Sequence, residues 1–200
     1  MDREITLIGC GGHSRVVASV IIKNKNFNRI IFEDKNAKKD EKILGFKVLK
    51  NYKKKTKTHI AIGDNTERAL HLRKQSEIVS VISKFSITEE EVEIGKGCFI
   101  GNGAVLGACV SVGKGTIVNT NAVIEHQSVI GDFNHISVGT VVCGKVTTGS
   151  NVTLGPNCTV LDEISICDNV IVGAGSTVIK NITESGVYVG SPIRKIRENK

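Results

Sequence analysis

From Ile94 to Val178 the chain sets an apolar residue at every sixth position: Ile94, Ile100, Leu106, Val112, Val118, Ile124, Ile130, Ile136, Val142, Thr148, Leu154, Val160, Ile166, Val172 and Val178. Only Thr148 in this series is not aliphatic. The residue two before each is mostly small or apolar, as at Val92, Cys98, Ala104, Val110, Thr116, Ala122 and Ser128. Glycine often follows directly, as at Gly95, Gly101, Gly107, Gly113, Gly131, Gly149, Gly155 and Gly173. A period of six fits neither a helical face nor a simple alternating strand. It predicts a short strand that turns a corner and starts again, with two inward residues per rung on one strand face. Glycine is expected at the corner, where the backbone needs angles that a Cβ resists. Three rungs close a triangular coil, residues 18 apart stack, and about five coils form a prism filled by the aliphatic ladders.

The first 84 residues have a different pattern. Apolar runs at 4–8 (EITLI), 29–34 (RIIFED), 45–49 (GFKVL), 59–65 (HIAIGDN) and 78–82 (IVSVI) read as strands. RVVASVIIK after GCGGHS, and TERALHLRK after GDN, read as helices. Alternating strands and helices predict a small, Rossmann-like parallel α/β sheet. The expected division is an α/β domain over 1–84, a β-prism over 85–183 and a closing segment over 184–200. Ligands of such a sheet lie beyond the carboxyl ends of its strands, where Gly9–Ser14, Glu33–Asp34 and Gly63–Asn65 fall. Gly9, Gly11 and Gly12 would let the backbone approach a phosphate at the helix N-terminus. The dinucleotide fingerprint is incomplete, because Ser14 stands at its third glycine. A half-sized site for one nucleotide-sugar fits better than a dinucleotide site.

Composition narrows the class further. Aromatics make up 4% of the chain and Trp is absent, which suits a narrow prism packed with Val and Ile. No apolar run approaches the roughly 20 residues of a membrane span. The first residues, MDREITLIGCGG, lack the apolar core and cleavage site of a signal peptide, so a cytoplasmic location is expected. The six cysteines form no Cys-x-x-Cys pair. Cys98 and Cys158 fall on inward positions and read as small core residues. Residues 1–85 carry 19 Lys/Arg against 9 Asp/Glu, and residues 86–200 carry 8 against 11. A basic α/β half could attract a phosphorylated ligand, although the run KNYKKKTK at 50–57 reads more simply as a solvated loop. No aromatic platform or basic recognition helix accompanies the charge, so nucleic-acid binding is not expected.

Two of the five histidines, His126 and His135, lie within the repeat. Both fall on positions that point out of the prism, where packing does not need them. Nine residues apart is half a coil, so within one chain they lie on opposite sides. They can serve one site only if His126 of one copy meets His135 of another. That predicts a homo-oligomer with sites between subunits, most simply a cyclic trimer. A zinc centre of the γ-carbonic-anhydrase kind would need three histidines, so no metal is expected.

Together these motifs resemble one family. A strand, Gly-x-Gly-Gly-His, a helix, an acid-ended strand and IAIGDN precede a hexapeptide prism, and VYVGSPIRKI at 187–196 closes the chain. This combination is similar to the sialic acid O-acetyltransferase and UDP-4-amino-sugar N-acetyltransferase family, whose prism is a left-handed parallel β-helix. The resemblance implies a homotrimer that moves an acetyl group from acetyl-CoA to a nucleotide-linked 4-amino-4,6-dideoxy sugar, most simply UDP-linked. The alternative is O-acetylation of a sialic-acid-like sugar, and a non-catalytic nucleotide-sugar scaffold is a third reading. The family's substrate contacts fall on Gly11, Gly12, His13, Asp34 and Gly63. Its catalytic base falls on His126 and its acetyl-CoA contacts on His135, Pro156 and Ala174. Two departures stand out: Lys35 where relatives often have a second Asp, and Gln127 where an acid often follows the base. Gln127, Glu125 and Asn119 are the candidates to orient the His126 ring.

Overall fold

The computed structural model describes residues 3–52 and 56–199; the middle of the lysine run, residues 53–55, lies outside them. The α/β half comprises β1 (Glu4–Ile8), α1 (Gly12–Asn24), β2 (Arg29–Glu33), β3 (Lys42–Ile43), β4 (Phe46–Leu49), β5 (Lys57–Ile60) and α2 (Asn65–Leu72). Its sheet has the order β3-β4-β2-β1-β5, parallel except for the β3–β4 hairpin. α1 buries Val17, Ala18, Val20 and Ile21 while Arg15, Val16, Ile22 and Lys23 face outward, an amphipathic helix laid on a sheet.

The remainder is a left-handed parallel β-helix. Its rungs stack at 18-residue spacing into three faces. The first face runs from Val81–Ile82 through Phe99–Ile100, Ile117–Val118, His135–Ile136 and Thr153–Leu154 to Val170–Val172. The second runs from Ile87–Thr88 to Thr177–Val178, and the third from Glu93–Ile94 to Ser165–Ile166. Gly186–Val189 and Arg194–Arg197 extend the first face and close the chain. From Cys98 on, the ladder and its companion positions are buried as the periodicity requires, Cys98 and Cys158 among them, while Val92 and Ile94 are partly buried. Each buried Val, Leu or Ile stabilises the prism by about 1.5–3 kcal/mol relative to exposure.

Three expectations need correction. The prism starts two rungs before Ile94, at Val81–Ile82, where the ladder residues Ile82 and Thr88 are exposed and Thr88 interrupts the aliphatic series. The stretch 78–82 is therefore shared, with Ile78 bridging to Thr58 of the sheet and Val81–Ile82 pairing with Phe99–Ile100. The glycine after each ladder residue does not supply the corner's backbone angles either. The left-handed residue lies two positions further on, at Gly103, Gly115 and Gly139 but equally at Asn121, Gln127 and Asn157. The first glycine is required by close approach: a Cβ at Gly101 would sit 2.7 Å from the Thr120 nitrogen, and one at Gly155 2.6 Å from the Ala174 nitrogen.

Thr148, the polar ladder residue inside the prism, has a buried partner. Its Oγ1 accepts from Asn134 Nδ2 at 2.7 Å, and Asn134 Oδ1 accepts from the Val152 N–H at 2.6 Å. Two polar side chains thus satisfy each other inside the prism.

The two halves share a core. Phe99 and Ile117 point out of the first face and are buried among Ile5, Leu7, Val17 and Phe32 of the α/β half. At the end of α1, Asn24 donates to the Ile82 carbonyl and accepts from the Lys84 N–H, tying the helix to the first rung.

Candidate functional site

The carboxyl ends of β1, β2 and β5 open into one pocket of about 580 Å³. Gly11, Gly12, His13, Asp34 and Gly63 all line it, together with Lys35. The glycines are informative through what the protein does not need. A Cβ on Gly11 or Gly12 would meet nothing within 4 Å, one on Gly63 would touch only the His13 Cβ at 4.0 Å, and none of the three has a positive φ. Neither packing nor backbone angle calls for glycine there, so the room is left for something that is not protein. Gly9 differs: its φ of 107° favours glycine, and a Cβ would crowd Ile62 at 2.8 Å.

α1 starts at this pocket without a side-chain cap and with no acid in its first turn. Its first N–H groups are free to meet an anion. Arg15 holds the turn by donating to the Cys10 and Gly11 carbonyls at 2.7 and 2.8 Å. Across the pocket, Asp34 Oδ1 accepts from the Asn36 N–H at 2.8 Å. Burial, with Asp34 and Glu41 nearby, pushes the Cys10 thiol up to about 11, so it stays protonated.

From the pocket wall, His13 reaches toward the prism. The His13 ring stands edge-on to Phe99 at 5.0 Å and lies 6.4 Å from the His135 ring. The His13 Nε2 is buried without a hydrogen-bond partner among the described residues. Burial, then the neighbouring His59, His135 and Arg68, lowers the His13 pKa to about 3. His135 is lowered to about 4, first by burial and then by Arg68, while a hydrogen bond with the Gly63 backbone opposes the shift. Both imidazoles are therefore neutral at physiological pH.

His126 is elsewhere. It is exposed on the edge between the second and third faces, opposite the first face that carries His135. Its ring lies over Gly144, one coil on, where a Cβ would sit 2.5 Å from Cε1. Gln127 and Glu125 are exposed beside it, and Gln127 occupies the left-handed corner position with φ 59°. Asn119 does not reach the His126 ring: its amide lies 3.2 Å from His135 Nε2 instead. The reason is the stacking, because Ile117 pairs with His135 and Asn119 follows directly on that same face. Pro156 and Ala174 are exposed on the edge that follows the first face. There they sit one coil apart, the Pro156 carbonyl accepting from the Gly175 N–H at 2.8 Å.

Arg68 carries no local signal of its role. It is 1% exposed, and its guanidinium is ringed by oxygens from both halves. Nε donates to the Gly115 carbonyl at 2.6 Å. Nη1 donates to Ile62 and Gly63, and Nη2 to Asn65 Oδ1, Phe133 and Asn134. A charged residue on a short polar helix reads as a surface residue, and only the docking of α2 on the prism shows otherwise. Among the described residues no three His, Cys, Asp or Glu side chains are placed to hold a metal ion. No helix among them is long and apolar enough to cross a membrane.

Comparisons with known proteins agree with both halves. Residues 4–75 match the PglD N-terminal domain family, and residues 145–180 match the bacterial transferase hexapeptide family (six repeats). A search of curated protein sequences finds no match. Among solved structures, the acetyltransferase domain of PglB from Neisseria gonorrhoeae superposes with a TM-score of 0.92 at 24% identity, covering 97% of this chain and 100% of that one. The same domain is also known in complex with acetyl coenzyme A. Perosamine N-acetyltransferase from Caulobacter crescentus, in complex with CoA and GDP-perosamine, gives a TM-score of 0.90 at 24% identity over 98% of this chain and 97% of that one. WeeI from Acinetobacter baumannii gives 0.88 at 21% identity over 96% and 99%. At these identities the likeness is one of fold.

Proposed function

We propose, from the premise that this chain is a hexapeptide-repeat acetyltransferase of the PglD/NeuD-like family, that it acetylates the amino group of a nucleotide-linked 4-amino-4,6-dideoxy sugar with acetyl-CoA as donor. The observation that carries this reading is the single pocket in which Gly11, Gly12, His13, Asp34 and Gly63 converge beside the uncapped start of α1. A diphosphate at that helix end would leave the sugar directed toward His13, with His135 beyond it.

The chemistry needs one base. A protonated amine cannot attack a thioester, and an imidazole takes up a proton near neutral pH. His126 takes one proton from the ammonium, the neutral amine nitrogen forms its bond to the acetyl carbon, the carbon–sulfur bond breaks, and the second proton shed by the nitrogen goes to the departing thiolate, so that CoA leaves as the thiol. No acyl-enzyme is involved, in keeping with the protonated Cys10 thiol. Because His126 and the pocket lie on opposite sides of one chain, the site is composite. His126 of one subunit meets the pocket, His135, Pro156 and Ala174 of its neighbour, in a cyclic trimer. UDP is the expected nucleotide, and the relative that binds GDP-perosamine makes GDP the first comparison. Gln127 in place of an acid is the one feature that favours the alternative, O-acetylation of a sialic-acid-like sugar.

Thiol release from acetyl-CoA, measured against UDP-, dTDP- and GDP-linked 4-amino sugars and sialic acids, tests the proposal. Turnover with an amine acceptor is expected. Turnover only with a hydroxyl acceptor moves the assignment to O-acetylation. Binding without turnover, or a monomer in solution with full activity, overturns the mechanism.

A further inference from the structure

Gly63 belongs to the pocket wall, and the residue that holds it in place is Arg68. The Gly63 carbonyl accepts from Arg68 Nη1 at 2.9 Å, and the neighbouring Ile62 carbonyl does so at 3.0 Å. The same guanidinium reaches the prism through the carbonyls of Gly115, Phe133 and Asn134. Phe133 and Asn134 are the two residues directly before His135. One planar fork therefore joins the loop after β5 to the backbone that carries His135, whose ring lies 6.4 Å from that of the pocket residue His13.

Asn65 completes the joint from the same helix. Its Oδ1 accepts from Arg68 Nη2 at 2.6 Å, and its Nδ2 donates to the Val152 carbonyl and the Thr153 Oγ1 one coil beyond His135. Arg68 makes no ion pair within 4.0 Å among the described residues, so its hydrogen bonds all go to carbonyl and amide oxygens, with the Asp64 carboxylate acting from further off. Such an arrangement is costly to bury and geometrically exacting. A lysine could not reproduce it, since an ammonium has no rigid fork.

We infer that Arg68 is a positioning residue: it sets the distance between the Gly63 wall and His135, and so the register in which the nucleotide-sugar presents its acceptor group. The inference rests on the acetyl-transfer reading of the pocket. Arg68 touches neither substrate in this scheme; it acts through Gly63 and through the backbone of Phe133 and Asn134.

The test is steady-state kinetics on the full-length Arg68→Lys variant, with the nucleotide-sugar that the wild type turns over. KM for the nucleotide-sugar should rise about tenfold or more, with KM for acetyl-CoA within about twofold. A merely structural role would lower the active fraction and leave both KM values alone, and that result overturns the inference. If Arg68→Lys does not fold, Asn65→Ala carries the test, because it removes one acceptor from the fork and leaves the arginine. A rise of about threefold in the same KM is then expected, and an unchanged KM overturns the inference. A wild-type chain that releases no thiol with any nucleotide series removes the acetyl-transfer reading itself. Wild-type turnover with an unaltered KM in the variants removes only the role given to Arg68.

Discussion

The His126 imidazole rests on the backbone of Gly144, one coil further along the same edge, so that a Cβ at 144 would lie 2.5 Å from Cε1 and 2.8 Å from Nε2. The contact is with the far end of a movable side chain rather than with backbone. Gly144→Ala should therefore fold normally and displace the ring. We expect kcat to fall about tenfold or more, toward the 10²–10⁴-fold loss expected of His126→Ala as a general-base deletion. Thermal melting should stay within about 2 °C of wild type. A Gly144→Ala enzyme of wild-type rate would show that the ring's resting place does not matter to the reaction.

Gln127→Glu should be accepted by the fold and should keep or raise kcat. Position 127 is a left-handed corner with φ 59°, and two other corners of the prism carry glutamate at φ 58° and 61°, Glu91 and Glu163. The backbone therefore meets no new strain. A carboxylate beside His126 would raise its basicity, which an amide cannot do. A large loss of kcat in thiol-release assays would contradict this.

These two residues also show how much of the molecule was legible beforehand. The prism was legible because its ladder is a strict period, and the pocket because glycines and acids mark strand ends. What could not be read depends on contacts between distant segments. Asn119 looked like a partner for His126 because it is one rung earlier, but neighbours in a solenoid are 18 residues apart, and the ring within reach is His135. His135 itself looked merely outward-facing. Its burial comes from the α/β half docking on the first face, which no local pattern announces. The recurring glycines are visible in the sequence, but their cause is the close approach of successive coils, not corner angles, and only the stacked structure shows it.

Acid should destabilise the protein well above the range in which its carboxylates titrate. His59 is buried, its Nδ1 3.1 Å from the Val79 carbonyl, and burial lowers its pKa to about 4. His13 and His135 are lowered to about 3 and about 4. Each lies below the ordinary histidine value, so between that value and the lowered one the unfolded chain binds more protons than the folded one. Stability is full above about pH 6.5 and is lost progressively as pH falls toward 4, by roughly 3 kcal/mol for a histidine shifted this far. Urea midpoints at pH 7.5, 6 and 5 should fall in that order. His59→Leu should flatten the dependence. A midpoint that holds constant from pH 7.5 to 5 would mean that these imidazoles are not held neutral by the fold.

The last expectation runs against the repeat itself. Between Ile94 and Val178 Thr148 is the one ladder residue that is not aliphatic, and Thr148→Val would restore the pattern. It should nonetheless destabilise. Thr148 Oγ1 accepts from Asn134 Nδ2 at 2.7 Å and from the Gly131 N–H at 3.1 Å, in a part of the prism that water does not reach. Valine leaves those donors short of an acceptor, and the remaining acceptors, the Gly149 and Thr148 carbonyls, meet only part of the need. A cost of about 1–2 kcal/mol follows from an under-satisfied buried donor. The coupling is checked by repeating the substitution in Asn134→Ala, where the main donor is gone. There Thr148→Val should cost less by about 1 kcal/mol, read from urea midpoints at pH 7.5. If Thr148→Val stabilises the wild-type chain, the hydroxyl is not holding Asn134, and the polar pair is no part of what fixes the backbone ahead of His135.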